Sequence, residues 1–262
     1  MKTLFTLALA IGSLFLPSCV VYMPMQCAAP QLTDKKQGEV SGSSYLSGRV
    51  EVAGTYSPVR HLLVRAAYSS RHGNPQDSTY YRGYQYDLGV GTYWPLGQQW
   101  LVGGLGGFGQ ARSNAAFERT AILFPSTRYE YDARYNKLFG EVYGTFQASE
   151  AVSFGAAYRV TQVNFTTLTE HALPVGLSRM TRSEPMVYFR VRLGDGPTES
   201  RPVQLQAAWG TSATFGYNES DRSTYYSVGV RDLKQGRSYT TIGISIFPHC
   251  LFRKAQAPGE GR

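Results

Sequence analysis

Val187-Tyr188-Phe189-Arg190-Val191-Arg192-Leu193 places four apolar residues on one face of an extended chain, and a tyrosine and two arginines on the other. Side chains alternate with a period of two along a strand, so this segment has one greasy face and one charged face. A soluble sheet buries the first and wets the second. Here the apolar faces recur in block after block with tyrosines at their ends, while charges sit in the middle of the opposite face. That pattern predicts an all-β fold: an antiparallel, up-and-down transmembrane β-barrel with lipid outside and a polar lumen inside.

Working outward from this segment, the alternation predicts about ten strands, near 38–46, 48–57, 61–71, 79–94, 98–112, 127–147, 151–165, 185–194, 202–214 and 238–247. Short turns at Ser57-Pro58-Val59-Arg60, Trp94-Pro95-Leu96-Gly97, Ala148-Ser149-Glu150 and Gly194-Asp195-Gly196-Pro197 alternate with longer polar loops near 71–79, 113–127, 166–184 and 215–237. In outer-membrane barrels the short turns are periplasmic and the long loops extracellular. With an even strand number both barrel ends are expected on the periplasmic side.

The expected outward positions include Val50, Val52, Tyr56, Val64, Tyr68, Leu88, Val90, Phe154, Tyr158, Leu205, Trp209, Ile242, Ile244 and Ile246. Two strands depart from the pattern. The fifth is glycine-rich and its faces are ambiguous. The sixth has Tyr129, Tyr131, Ala133 and Tyr135 on one face, which Leu138, Val142 and Phe146 then take over; a β-bulge near Asn136-Lys137 would absorb that slip. Weak alternation at 223–231 leaves room for an eleventh strand or a projecting hairpin. Tyr80, Tyr81, Trp94, Trp100 and Tyr129 fall at strand ends, where aromatic girdles meet the membrane interface.

Composition fits an exported membrane protein. Charged residues are only 17% and aromatics 13%, with 19 tyrosines. After the N-terminus no apolar run reaches the 18 or so residues of a helical span, so only a closed barrel could cross a bilayer. The net charge of +8 is spread over strands and loops with no nucleic-acid motif beside it, which argues against nucleic acid as a partner and for anionic lipid head groups and internal pairing.

At the N-terminus, Lys2 precedes an apolar stretch from Leu4 to Leu16, too short for a transmembrane helix. Leu16-Pro17-Ser18-Cys19 follows and resembles a bacterial lipobox, with Pro17 in place of the usual small or aliphatic residue. The expected organisation is a lipoprotein signal peptide over 1–18, a lipid-anchored tether over 19–37 with Cys19 as the palmitate-bearing residue, the barrel over 38–247 and a flexible polar tail over 248–262. Secretory cleavage after Ala28-Ala29 is the alternative. With both barrel ends periplasmic, the anchor is expected in the inner leaflet of the outer membrane.

Eight charged residues are expected to face the lumen: Arg49, Glu51, Arg65, Asp87, Glu141, Arg159, Arg190 and Arg192. In a ten-stranded barrel the interior is narrow, so these side chains should pair and fill it. An anion-selective pore is the alternative. Cys27 and Cys250 flank the barrel and could form a disulfide across the strand seam in an oxidising compartment.

Gly104-Leu105-Gly106-Gly107-Phe108-Gly109 matches the dinucleotide pattern but sits inside a strand and opens no helix, so it reads as close packing and curvature. Histidines 61, 72, 171 and 249 do not cluster at metal-ligand spacing, and no metal or cofactor is expected. His72, Asp77, Glu170 and His171 occupy loops at one rim, where some barrel enzymes acting on lipid or peptide carry their catalytic groups; a barrel hydrolase or acyltransferase is the minor alternative.

The stretch Cys19-Val20-Val21-Tyr22-Met23-Pro24, with Ala28-Ala29-Pro30-Gln31-Leu32, Lys36-Gln37-Gly38-Glu39-Val40-Ser41-Gly42 and Val52 to Leu62, resembles a group of Bacteroidota outer-membrane β-barrel lipoproteins. The resemblance implies fold and location, and no activity. The reading that results is a non-enzymatic outer-membrane lipoprotein with a side-chain-plugged lumen and extracellular loops for surface or structural interaction. Its expected partners are outer-membrane lipids and the barrel-assembly and lipoprotein-processing machineries; an extracellular ligand stays unnamed.

Overall fold

Inward and outward side chains alternate along the lipid-facing part of a closed sheet. The computed structural model describes residues 21–121, 124–194, 201–217, 230 and 233–251. Its strands are β1 (Gly38–Tyr45), β2 (Val50–Tyr56), β3 (Leu63–Arg71), β4 (Tyr80–Leu96), β5 (Trp100–Ala121), β6 (Phe124–Gln147), β7 (Val152–Glu170), β8 (Leu173–Pro174), β9 (Arg179–Leu193), β10 (Val203–Thr214) and β11 (Arg237–Ile246). Every long strand pairs antiparallel with its neighbours in sequence order, β7 passing directly to β9. The first and last strands pair from Val40↔Ile246 to Tyr45↔Thr241, which closes a ten-stranded barrel. β8 is only a two-residue addition to the edge of β7. The extra strand therefore lies at 173–174; apart from Val230, the stretch 223–231 falls outside the described residues.

The expected facing holds in every strand whose faces were assigned except β6. Val50, Val52, Leu88, Phe154, Val187, Phe189, Leu205, Ile242 and Ile244 are exposed on the outer surface, while Glu51, Asp87, Arg159, Tyr188, Arg190, Gln204 and Ser245 are buried inside. An apolar exterior around a charged interior inverts a soluble protein and is the arrangement of a barrel standing in lipid. Among the described residues no helix is long and apolar enough to cross a membrane.

Three differences from the expected elements have physical causes. First, β5 runs to Ala121, β7 runs to Glu170 and β9 starts at Arg179, each well past its predicted end, while β6 starts only three residues earlier than predicted. The outward apolar alternation stops after Phe108 in β5 and before Leu138 in β6, where Gln110, Arg112, Arg134 and Asn136 take over. The backbone ladder nevertheless continues through Arg112↔Arg134 and Glu118↔Arg128. Apolar alternation marks where hydrocarbon ends; hydrogen bonding does not end there.

Second, β6 never changes phase. Tyr131, Ala133, Tyr135, Lys137, Phe139, Glu141 and Tyr143 all point inward. The register shift lies between Arg134 and Tyr135 on the β7 side, where Thr166 is the extra residue, and β5–β6 pairing runs through Asn136 and Lys137 unbroken. Third, the tail begins with an ordered helical turn, Pro248–Leu251. Phe247 N donates to Pro202 O (2.8 Å), and the His249 ring lies against the backbone of Gly38.

Of the aromatics expected at the interface, Trp94 and Trp100 are exposed at the short-turn end, and Trp94 stacks on His61 (centroids 4.0 Å apart). Tyr80 and Tyr81 are buried instead. The glycines of β5 resolve its ambiguous faces. A side chain at Gly103 would enter the Tyr143 ring, and one at Gly107 would meet Phe139 and the Leu88 carbonyl. Missing Cβ atoms let bulky lumen side chains lie flat against the wall.

Closed pairing leaves no long edge to fray. Purified protein in mild detergent is therefore expected to resist unfolding and to migrate differently on gels before and after boiling. A predominantly helical circular dichroism spectrum would contradict the barrel.

Candidate functional site: the occupied lumen

The segment 21–33, expected as a tether outside the fold, lies inside the barrel. Val21, Tyr22, Met25, Cys27, Ala29 and Leu32 are almost fully buried. The segment pairs with no strand, so its backbone groups must find side-chain partners in the lumen. They do so from one end to the other. Ser113 Oγ donates to Val21 O (2.8 Å), Gln85 Nε2 to Met23 O (3.0 Å), and Arg49 Nη2 to Pro24 O. Gln26 N donates to Glu51 Oε2 (3.2 Å), and Arg159 Nη2 donates to Gln26 O (3.3 Å). Ala28 N donates to Glu141 Oε1 (2.6 Å), Arg190 Nη1 to Ala29 O (2.7 Å), and Gln31 N to Glu39 Oε2 (3.0 Å). Arginines take carbonyls and carboxylates take N–H groups. Pro24 and Pro30, both buried, have no N–H to satisfy.

Three apolar clusters grip the side chains of this segment, the smallest being Met25 with Ala53 and Ala67. Near the long-loop end, Val21 and Tyr22 pack with Tyr131, Tyr135, Val163, Leu168, Met180 and Leu233. Deeper, Cys27, Ala29 and Leu32 pack with Leu105, Phe139, Tyr143, Met186 and Tyr188. The aromatic run of β6 thus faces an apolar segment in the lumen rather than lipid.

The expected lumen charges come together in part. Arg159 is the centre: its Nη2 lies 2.7 Å from Glu141 Oε2 and its Nη1 3.3 Å from Asp87 Oδ2. Its guanidinium also lies over the Phe139 ring, 4.7 Å from the centroid. Arg65 reaches Glu51 at 3.5 Å. Among the described residues Arg190 does not pair with a carboxylate as expected: it bonds Gln206 Oε1 and the Ala29 carbonyl. Arg192 reaches Gln31 Oε1 (3.3 Å) and covers the Phe247 ring.

Four charged lumen residues were not among the expected set. Lys137 Nζ lies 2.7 Å from Asp87 Oδ1 and donates to Gln85 Oε1 (2.9 Å). Glu39 accepts from Gln31 N and Ser245 Oγ. Glu184 accepts from Tyr22 (2.6 Å), Thr161 (2.8 Å) and Ser212 (3.0 Å). Arg182 donates to Ser212 and Thr214 and to the carbonyls of Lys234 and Gln235, tying β9 to the loop before β11. Strict alternation extended from Glu141 and Arg190 assigns Lys137, Glu184 and Arg182 to the inside.

Little space is left. A cavity of about 20 Å³ remains between Gln26, Cys27, Glu39, Glu51, Arg65 and Arg190, room for about one water. At the short-turn end the lumen opens into a vestibule of about 280 Å³ lined by Gln31, Gln37, Trp100, Gln147 and His249. Cys27 and Cys250 are not joined by a disulfide. Cys27 is held mid-lumen, its Sγ 3.7 Å from Glu184 O, whereas Cys250 sits on the helical turn beyond β11.

At the long-loop rim, Asp77 accepts from Asn74 within its own loop, and His171 N donates to Glu130 O. No side-chain contact joins His72, Asp77, Glu170 and His171 among the described residues. No group of His, Cys, Asp and Glu side chains suited to a metal ion occurs among them either. Residues 1–20, including Cys19, lie outside the described residues, as do 252–262.

No protein-family model matches the chain, and no curated protein matches it in sequence. Several solved structures are similar in architecture. The N-terminal β-barrel domain of Pseudomonas aeruginosa OprF is 7% identical with a TM-score of 0.33, covering 82% of this chain and 98% of its own. Escherichia coli outer membrane protease OmpT is 13% identical with a TM-score of 0.42, covering 82% and 94%. The translocator domain of the autotransporter NalP from Neisseria meningitidis is 11% identical with a TM-score of 0.45, covering 80% and 86%. The likeness is one of barrel architecture, and none of their activities carries over to this chain.

Proposed function

We propose that the protein is an outer-membrane β-barrel lipoprotein of the kind its N-terminal stretch resembles. Cys19 carries the acyl anchor, the lumen is closed, and the long loops present a surface for structural or recognition roles without chemistry of their own. The observation that carries this reading is the filled lumen. At mid-lumen the segment 21–33 and the charges around it enclose a cavity of only about 20 Å³, and the apolar outer band calls for lipid. Outer-membrane lipids are its immediate partners, and the barrel-assembly and lipoprotein-processing machineries are those that such a chain requires.

Conductance is the test. Wild-type protein in planar bilayers is expected to show little steady current, because the segment 21–33 and the Arg159, Asp87 and Glu141 cluster bonded to it lie across the lumen. Large, stable channels from the wild-type protein would overturn the closed-lumen reading in favour of a narrow solute channel.

A further inference from the structure

The segment 21–33 crosses the lumen in a direction that bears on the anchor. Its C-terminal end is fixed at the short-turn end, where Lys36 N donates to Ser57 O (2.6 Å) and Ser57 N to Gln37 O (2.9 Å). Its N-terminal end is fixed at the opposite mouth. There Val21 O accepts from Ser113, and Val21 packs with Leu168, Leu177, Met180, Val230 and Leu233. Ser113 lies past Phe108, the last large outward apolar residue of β5, and level with outward polar residues. Twelve residue steps of extended chain reach at most about 40 Å, enough to cross the hydrocarbon core of about 30 Å.

We infer that the chain threads its own barrel, so that the acyl group on Cys19 belongs to the long-loop, cell-surface leaflet of the membrane and not to the periplasmic leaflet. The inference rests on the proposed acylation of Cys19 and replaces the inner-leaflet anchor expected from strand parity alone. Parity places the start of β1 at the short-turn end correctly, but the chain before β1 turns back into the lumen. Cys19 is two residues before Val21, at most about 7 Å of extended chain, so it cannot reach the short-turn end while Val21 is held by Ser113.

The barrel wall is uneven in a way that suits this route. β1 and β2 have 8 and 7 residues, against 22 and 24 in β5 and β6. The wall is therefore low beside the first hairpin, where acyl chains can pass from the mouth to the outer leaflet. The threading cannot easily slip. Bonds to Val21, Met23, Pro24, Gln26, Ala28, Ala29 and Gln31 fix the register, and the anchor outside and the barrel wall inside hold the two ends.

The test uses the full-length protein in a Gram-negative host. Palmitate labelling of wild type and C19A reads acylation alone. Val20→Cys and Thr33→Cys, each checked for heat-modifiable migration, are treated with a membrane-impermeant maleimide on intact cells and again after permeabilising the outer membrane. Wild type, whose Cys27 and Cys250 are buried, supplies the background. V20C is expected to label equally in both conditions, and T33C only after permeabilisation. V20C label that requires permeabilisation or unfolding overturns the threading. Should V20C fail to fold, a short epitope between Val20 and Val21, probed by antibody on intact cells, replaces it with the same two outcomes. Absence of palmitate from wild type, with V20C labelled on intact cells, would remove the anchor and leave the path of the chain standing.

Discussion

Arg159→Ala is expected to destabilise the barrel by roughly 3–5 kcal/mol, the cost of leaving a buried carboxylate without its partner. Arg159 joins Glu141 and Asp87 and also donates to the Gln26 carbonyl, so its loss touches two carboxylates and the lumen segment together. Asp87 retains Lys137 at 2.7 Å, so most of the damage falls on Glu141, which keeps only the Ala28 N–H among the bonds described. Urea unfolding of the detergent-folded protein, followed by tryptophan fluorescence, measures the effect. The double variant Arg159→Met with Glu141→Gln should recover part of the loss, because neither charge is then left buried alone. Arg65→Ala is a milder change, since its contact with Glu51 is 3.5 Å and Glu51 also accepts from Tyr45 and Gln26.

Deleting residues 21–33 is expected to open the lumen and to weaken the barrel at the same time. The deletion removes the chain that fills the axis and the acceptors of Arg49, Arg159 and Arg190. The lumen side chains named above include seven cations (Arg49, Arg65, Lys137, Arg159, Arg182, Arg190 and Arg192) and five carboxylates (Glu39, Glu51, Asp87, Glu141 and Glu184). Carbonyls of the segment offset that excess, and without them water must enter to solvate the guanidinium groups. Discrete channel openings in planar bilayers, preferring anions because the exposed surplus is positive, are the expected result. Each charged hydrogen bond lost should cost about 1.5–3 kcal/mol before water compensates. A deletion variant that folds but stays electrically silent would show that side chains alone close the lumen.

The barrel itself was legible because period-two alternation has a physical cause that spares no strand: every residue of a spanning strand faces either hydrocarbon or lumen. One clear segment, Val187 to Leu193, was enough to set the rule, and the same rule located Arg49, Glu51, Arg65, Asp87, Glu141, Arg159, Arg190 and Arg192 inside. Strand ends were less legible, since Ser113, Asn114 and Glu118 of β5 and Thr167 and Thr169 of β7 continue the ladder where lipid no longer demands apolar side chains. β6 misled for a related reason. Tyr131 and Tyr135 look lipid-facing when read alone, yet they pack on Tyr22 and Val21 inside the lumen.

The lumen segment was not legible at all. Its residues carry no periodicity because they join no sheet, and their partners are scattered from Glu39 to Gln204 along the chain. The available hint was composition: Val21, Tyr22, Met23 and Met25, then Cys27 to Pro30, are too apolar for a solvated linker.

The closed lumen depends on the N-terminal segment occupying it with Val21 at the long-loop mouth. Val21→Cys combined with Ser113→Cys tests it most directly in the assembled membrane protein, because Ser113 Oγ lies 2.8 Å from the Val21 carbonyl. A threaded chain predicts that a short thiol-reactive linker with disulfide ends, which tolerates the offset of a side-chain-to-carbonyl contact, joins these residues in high yield, closing a loop that shifts mobility on denaturing gels and reverts with reductant. Failure to cross-link in protein that is folded and heat-modifiable, with both thiols open to maleimide, would contradict the account.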